Sequence, residues 1–280
     1  MRWSSRGKSS DIEDQRGTRV GGGLGRMAPI GLGGVAILFV LSLVTGRNFL
    51  SILDEGGDPS APSSSSAAPT SPADEKTVEF VSFVLDDAQN MWQSTLGSRY
   101  ERAHLVLFTD AVESACGMAE SATGPFYCPG DEKVYIDLGF YRELKERFGA
   151  PGEFAQAYVL AHELGHHVQR LTGIDTKVRE AQQRDPRQAN ALSVAMELQA
   201  DCYAGIWGHS TAQRNILEQG DVESGLNAAA AIGDDRIQRM SGARVAPERF
   251  THGSSADRVT WFKRGLESGN LDSCNTFASR

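Results

Sequence analysis

Residues 157–173, AYVLAHELGHHVQRLTG, hold three of the chain's six histidines in an otherwise apolar segment. The apolar residues follow helical spacing, and Gly173 is well placed to end the helix. On such a helix His162 and His166 lie one turn apart on the same face, while Glu163 is rotated by about 100°. This is the HExxH arrangement, in which two imidazoles bind one metal ion and the glutamate acts on water beside it. The segment therefore predicts a helix that packs against another element able to complete a metal site.

A catalytic zinc site needs a third protein ligand and leaves the fourth position for water. The metzincin pattern would place glycine and histidine downstream, but this chain has Gln169 and Thr172 there, which excludes that class. A following apolar helix carries ELQAD, in which Glu197 and Asp201 lie four residues apart and so share a face. We expect Glu197 to be the third ligand, with Glu223 as the alternative. Asp201 is then placed to accept a hydrogen bond from the outer nitrogen of a ligand histidine.

An uncharged run lies between Arg26 and Arg47, and its centre, IGLGGVAILFVLSLV, is almost wholly apolar. The run predicts a transmembrane anchor over residues 27–46. A cleavable signal peptide is the competing interpretation, but 26 preceding residues are long for its basic region. Basic residues are concentrated before the run, which predicts a cytoplasmic tail over residues 1–26 and places the rest of the chain outside the cytoplasm.

The four cysteines all follow the predicted span. An even number in an oxidising compartment predicts two disulfides. Three connectivities are possible, and the more local one pairs Cys116 with Cys128 and Cys202 with Cys274.

Composition divides the exported part into a tether and a folded domain. Residues 47–73 are rich in Ser, Pro and Ala, which predicts a disordered linker, and residues 74–280 then form the domain. HLVLF predicts a strand, GPFYCPGDEKVYIDL predicts two strands around a turn, and most of the remaining pattern is helical. Further helices are expected near residues 213–219, 224–240 and 256–267. The sequence therefore predicts an α+β domain, mostly helical with a small sheet.

Five blocks of sequence occur in order along the chain: SACGMA, GPFYCPGDEKVYIDLGFY, AYVLAHELGHHVQ, ELQADCYAGIW and FTHGSSADRVTWFKRGLESG. With these blocks the chain resembles the neutral zinc metallopeptidase family of bacteria, the YpfJ-like proteins, over most of residues 20–277. The resemblance implies a zincin-like fold and a peptidase of gluzincin type with one Zn²⁺ ion.

The expected mechanism assigns a role to each residue of the site. Zinc held by the two histidines and Glu197 would acidify a water molecule, and Glu163 would take its proton and pass it to the leaving amine. Tyr203 and His252 are the candidates for the donor that stabilises the oxyanion. The segment VYIDL, ahead of the HExxH helix, is expected to be the edge strand that pairs with an extended substrate.

Two functions from different classes fit these observations. The first is a membrane-anchored zinc peptidase that acts on peptides or proteins in the bacterial envelope. The alternative is an exported metal-binding domain that binds a partner and hydrolyses little. A structural zinc site is disfavoured because such sites usually have four protein ligands, often cysteines. The net charge of −8 makes nucleic acid a poor partner, and the sequence is silent on oligomeric state.

Overall fold

The computed structural model describes residues 1–18 and 71–278. The predicted span at residues 27–46 and nearly all of the predicted linker lie outside these ranges. No helix within the described ranges is both long and apolar enough to cross a bilayer.

The described residues form an α+β fold that is mostly helical, as predicted from the sequence. The helices are α1 (Pro72–Leu96), α2 (Gly139–Glu146), α3 (Glu153–Leu171), α4 (Ile174–Arg184), α5 (Ala189–Gln213), α6 (Asp221–Ala231), α7 (Asp234–Met240) and α8 (Ser255–Ser268). The strands are β1 (Ile12–Asp14), β2 (His104–Phe108), β3 (Ala111–Ser114), β4 (Gly117–Glu120), β5 (Phe126–Cys128) and β6 (Lys133–Asp137).

The strands form a four-stranded sheet in the order β1-β2-β6-β5 and a separate β3-β4 hairpin. Strands β1, β2 and β6 run parallel, and β5 pairs antiparallel with β6. Strand β6 contains the first four residues of VYIDL and has a neighbour on both sides, so the prediction that this segment is an edge strand is wrong. The edge strand beside β6 is β5, because the turn after Cys128 reverses the chain and pairs the two strands antiparallel.

Residues 1–18 belong to the same compact unit as residues 71–278. Strand β1 pairs with β2, the indole Nε1 of Trp3 donates to Glu153 Oε2 at 3.0 Å, and Ser9 Oγ donates to Asp86 Oδ1 at 2.7 Å. The sequence alone predicts instead a separate cytoplasmic tail over residues 1–26 and a domain that begins at residue 74. A strand of three residues has too short a pattern to be recognised from sequence alone, so β1 was missed.

Helix α3 is the buried helix at the centre of the fold. Its buried residues occur on nearly every face of the helix, because α1, α5, α6 and the sheet all pack around it. Helix α5 is preceded by a short turn of 3₁₀ helix at Pro186–Gln188, which the Asp185 side chain caps through the backbone N–H of Arg187. These two helices supply the residues of the predicted metal site.

Two of the expected helices differ from the structure. Helix α5 ends at Gln213, and residues 214–220 form a connecting segment rather than a helix. The expected helix over residues 224–240 is two helices, α6 and α7, separated at Gly233. The Ser255 backbone approaches Gly233 so closely that a Cβ atom there would overlap it, and the chain bends at this contact.

Both predicted disulfides are confirmed. Cys116 is bonded to Cys128, which ties the β3-β4 hairpin to strand β5. Cys202 is bonded to Cys274, which ties α5 to the short 3₁₀ helix Leu271–Cys274. The first disulfide therefore holds the edge strand, and the second holds the C-terminal segment against α5.

Candidate metal centre

Helices α3 and α5 bring three potential metal ligands together. His162 Nε2 lies 3.2 Å from Glu197 Oε2, and His166 Nε2 lies 3.4 Å from Glu197 Oε1. One ligand atom from each of the three residues lies within 4.8 Å of the others. Glu223, the alternative from sequence, lies on α6 with an exposed side chain and is not a member of this group.

Asp201 orients His162 from behind. Its Oδ1 accepts from His162 Nδ1 at 2.9 Å, so Nε2 is left to face Glu197. The Asp201 side chain is fully buried and also accepts from the hydroxyl of Tyr158. The role predicted for Asp201 therefore agrees with its contacts, and the hydrogen bond selects the ring nitrogen that points into the site.

Arg258 holds Asp201 in place, and sequence reasoning missed it. Its Nε and Nη2 donate to the two Asp201 oxygens at 2.8 and 2.9 Å, and its side chain is 2% exposed. Arg258 lies on α8 in line with Phe262 and Gly265, which are also buried. The available signal was a charged residue on the buried face of an amphipathic helix, which requires a buried partner of opposite charge.

Gln169 plays the corresponding part for His166. Its Oε1 lies 2.8 Å from His166 Nδ1, and its Nε2 donates to the carbonyl oxygen of Met196 at 2.8 Å and to Gln199 Oε1 at 3.1 Å. These two bonds identify Nε2 as the amide nitrogen, so Oε1 accepts from the imidazole. Gln169, which stands where the metzincin pattern has glycine, thus fixes the tautomer of His166.

The electrostatics of the site favour an ionised carboxylate between two imidazoles. Burial alone would raise the pKa of Glu197, but His166 and His162 hold that pKa well below its ordinary value. Burial alone would lower the pKa of His162, but Asp201 and Glu197 raise it to about 10. A metal ion held by these nitrogens would take the place of the imidazolium protons, so its binding would release protons.

Glu163 is buried next to the ligands but is not one of them. Its side chain lines the same cleft as His162, His166 and Glu197, and burial raises the pKa of its carboxyl group. One position along the helix from His162 turns it about 100° away from the ligand face. A carboxyl group in this place can exchange a proton with a molecule bound in the cleft.

The site opens into a cleft of about 620 Å³. Helix α3 lines it from Val159 to His166, the edge strand β5 contributes Phe126 and Tyr127, and α7 contributes Ile237 and Met240. A volume of this size is typical of small-molecule and peptide sites. The cleft therefore gives a ligand access to the candidate metal ligands.

His252 lines this cleft and is held by Asp234. Its Nδ1 lies 3.1 Å from Asp234 Oδ1, and Asp234 Oδ2 accepts from the backbone N–H groups of Thr251, His252 and Gly253. The hydrogen bond to Asp234 raises the pKa of His252, which favours the imidazolium form. Sequence reasoning found His252 but not Asp234, because the carboxylate lies 18 residues away on α7.

Two other residues from the sequence analysis lie outside the metal centre. Tyr203 is 4% exposed and packs edge-on against Trp92 with ring centroids 5.5 Å apart, so it is not placed to stabilise an oxyanion. Two positions after Asp201 on a helix, its side chain points to nearly the opposite face. His167 is fully buried between Tyr127 Oη and the Glu101 carbonyl oxygen, so it is not a member of the ligand group.

The donor atoms fit a zinc ion. Two imidazole nitrogens and one carboxylate oxygen match the ligand set of catalytic zinc sites, which keep a position open for water or substrate. Each histidine also has an acceptor at its other nitrogen, as metal-binding histidines almost always do. The residues present are therefore those that a catalytic zinc site requires.

Comparison with known proteins gives a family and two groups of relatives. The family model described as "Putative neutral zinc metallopeptidase" matches residues 1–277. The chain is 45% identical over 284 residues to the Uncharacterized protein YpfJ of Escherichia coli (strain K12), covering 99% of each. It is 42% identical over 200 residues to the Uncharacterized protein Rv2575 of Mycobacterium tuberculosis (strain ATCC 25618 / H37Rv), covering 68% of this chain and 67% of that protein. No solved structure matches the chain.

Proposed function

Because the chain belongs to the family described as putative neutral zinc metallopeptidases, we propose that it hydrolyses peptide bonds with one zinc ion held by His162, His166 and Glu197. The observation that carries this proposal is the convergence of these three side chains beside a buried glutamate in an open cleft. Zinc in such a site acidifies water and polarises a peptide carbonyl group.

Glu163 is the proton carrier of the proposed reaction. Its carboxylate takes a proton from the attacking water and delivers it to the nitrogen of the leaving amine. Its burial supports this role, because a carboxyl group with a raised pKa can hold a proton between the two steps.

His252 is the proposed donor to the oxyanion. Its Nδ1 is engaged by Asp234, so Nε2 is the nitrogen left to donate to an oxygen that develops negative charge in the cleft. Tyr203, the other sequence candidate, is not part of this proposal because it packs against Trp92.

Strand β5 is the proposed docking edge for the substrate backbone. It pairs with β6 along one side, and it is the last strand of the sheet among the described residues. An extended peptide can add to such an edge through main-chain hydrogen bonds. Because Phe126 and Tyr127 of β5 line the cleft, a peptide docked there lies beside the metal ligands.

The proposed place of action is outside the cytoplasm, on peptides or proteins of the bacterial envelope. Two disulfides support this, because disulfides persist in oxidising compartments and are rare in the cytosol. Attachment to the membrane through the apolar residues 27–46 is also proposed; because residues 1–18 pack with residues 71–278, this attachment is proposed to leave both on the same side.

Glu163→Gln tests the proposed activity. The zinc-loaded variant is expected to bind the ion as wild type does and to lose about 100- to 10,000-fold in kcat on a general peptide library, because the amide cannot accept the proton. The matched control is Glu223→Gln, which changes an exposed glutamate on α6 and should leave activity and zinc content unchanged. Unchanged hydrolysis in Glu163→Gln contradicts the proposed role of Glu163. Zinc binding without hydrolysis in wild type favours an interaction domain instead.

A further inference from the structure

Helix α7 exposes two large apolar side chains beside the metal centre. Ile237 is 40% exposed and Met240 is 42% exposed, and among the described residues the one other large apolar side chain of this kind is Met118. Three positions apart on a helix, Ile237 and Met240 lie on the same face, and both line the cleft. Their exposure is therefore concentrated at the place where a substrate enters.

Further apolar side chains line the same cleft. Phe140 and Phe148 line it with ring centroids 6.4 Å apart, and Val159 and Ile232 line it from α3 and from the end of α6. Val159 lies one helical turn before His162, so this apolar group is placed next to the first metal ligand.

Other lining residues lie on the C-terminal side of His166. Tyr127, Asp175 and Met196 line the cleft, and Tyr127 is close to the C-terminal side of His166 because its hydroxyl contacts His167. From Val159 to His166 the helix rises by about 10 Å. The cleft therefore continues on both sides of the metal centre.

Helix α7 is held by hydrogen bonds to two neighbouring segments. Arg236 Nη2 donates to the carbonyl oxygen of Phe148 at 2.6 Å, and Gln238 Oε1 accepts from the backbone N–H of Ala246 at 2.8 Å. Its first residue, Asp234, positions His252. A side chain that packs on α7 is therefore held beside the residues that act on the peptide bond.

We propose that α7, Phe140 and Phe148 form a specificity subsite for a large apolar side chain adjacent to the scissile bond. This inference rests on the proposed function. Covering Ile237 and Met240 removes apolar surface from water. A charged side chain is disfavoured there, because it would lose hydration against the apolar side chains of Phe148, Ile237 and Met240.

The test compares the double variant Ile237→Ser/Met240→Ser with Met118→Ser. Met118 is 61% exposed and does not line the cleft, so it controls for the loss of an exposed apolar side chain. Peptide libraries first identify the preferred residue next to the scissile bond, and matched peptides then carry that residue or serine. Wild type and Met118→Ser are expected to favour the apolar peptide by about tenfold or more in kcat/KM. The double variant is expected to lose most of this ratio at unchanged zinc content.

A binding measurement separates this subsite from the activity itself. The same matched peptides are titrated, with fluorescence anisotropy as the readout, into zinc-loaded Glu163→Gln with and without the α7 substitutions. Apolar-dependent binding that the α7 substitutions abolish supports the subsite even if wild type hydrolyses nothing, in which case the proposed function fails alone. Equal discrimination with and without the substitutions overturns the subsite, as does the absence of peptide binding.

Discussion

Asp201 is the residue on which the orientation of His162 depends. It joins an imidazole on α3 to a guanidinium on α8 through a carboxylate buried on α5. Burial opposes its ionisation, but Arg258 and His162 hold the pKa of Asp201 below its ordinary value. The Asp201–Arg258 pair therefore fixes the ring of His162, with Nδ1 towards Asp201 and Nε2 towards Glu197.

Asp201→Asn is expected to weaken zinc binding by about 10- to 100-fold, because the amide is a poorer acceptor and no longer neutralises Arg258. Competition with a chelator of known affinity measures the effect on folded protein. Asp185→Asn is the control: it changes a capping residue outside the site, and asparagine caps about as well as aspartate. Equal zinc affinity in Asp201→Asn and wild type contradicts the orienting role.

His252→Ala is expected to lower kcat by about 100-fold while zinc content stays unchanged, because the change removes a donor to the oxyanion and no metal ligand. Single-turnover hydrolysis and metal analysis of the same sample measure both quantities. His104→Ala is the control, since His104 is half-exposed on β2 outside the cleft. A loss of zinc with the activity would assign His252 to metal binding instead.

Residue patterns predicted the convergence of His162, His166 and Glu197, because HExxH and ELQAD are local patterns. The hydrogen-bond partners of these side chains were predicted less well. Arg258 lies 57 residues from Asp201, and nothing in a linear pattern pairs them. Tyr203 was misplaced because its closeness in sequence to Asp201 does not imply a shared helix face.

At the scale of the elements, helices α5 and α8 pack closely because glycines lie where they contact each other. A Cβ atom on Gly265 would overlap the carbonyl oxygen of Cys202, and one on Gly205 would overlap that of Phe262. This close approach sets the distance between the two helices, and with it the reach from Arg258 to Asp201.

Gly265→Ala is expected to reduce the free energy of unfolding by about 3 kcal/mol, because the added methyl group forces α5 and α8 apart. Helix propensity alone would favour alanine by about 1 kcal/mol, so the sign of the change identifies the cause. Denaturant unfolding measures it, with Glu267→Ala on the exposed side of α8 as control. A stabilised Gly265→Ala protein contradicts the close contact.

Element type was more predictable than sheet position. The segments HLVLF and VYIDL both match the strands predicted from alternation and β-branched residues. Their order in the sheet depends on which strands pair across the chain, and a β5 strand of only three residues carries little signal. The edge was therefore assigned to the wrong strand of the correct pair.

At the scale of the whole molecule, residues 1–18 and 71–278 pack together. Besides the β1-β2 pairing, Arg102 Nε donates to Asp11 Oδ2 at 2.6 Å, which ties the N-terminal segment to the chain before β2. One crossing of a membrane between these ranges would put β1 and β2 on opposite sides of it. The predicted cytoplasmic tail and this packing are therefore mutually exclusive.

Reporter fusions at residue 1 and after residue 280 test this in cells. The β1-β2 pairing predicts that both reporters lie on the same side of the membrane. Reporters on opposite sides would show that the N-terminal segment lies across the membrane from the domain and that β1 is not paired with β2 in the cell. The double variant Trp3→Ala/Arg102→Ala removes two contacts of the N-terminal segment. Comparing its reporters with those of wild type tests whether this packing determines the side on which residue 1 lies.

The most direct test of the central claim is anomalous scattering at the zinc edge from crystals of the zinc-loaded chain. We predict one peak at about 2.0–2.2 Å from Nε2 of His162, Nε2 of His166 and a carboxylate oxygen of Glu197. A peak at another group of residues, or Glu197 turned away from the two imidazoles, would contradict it.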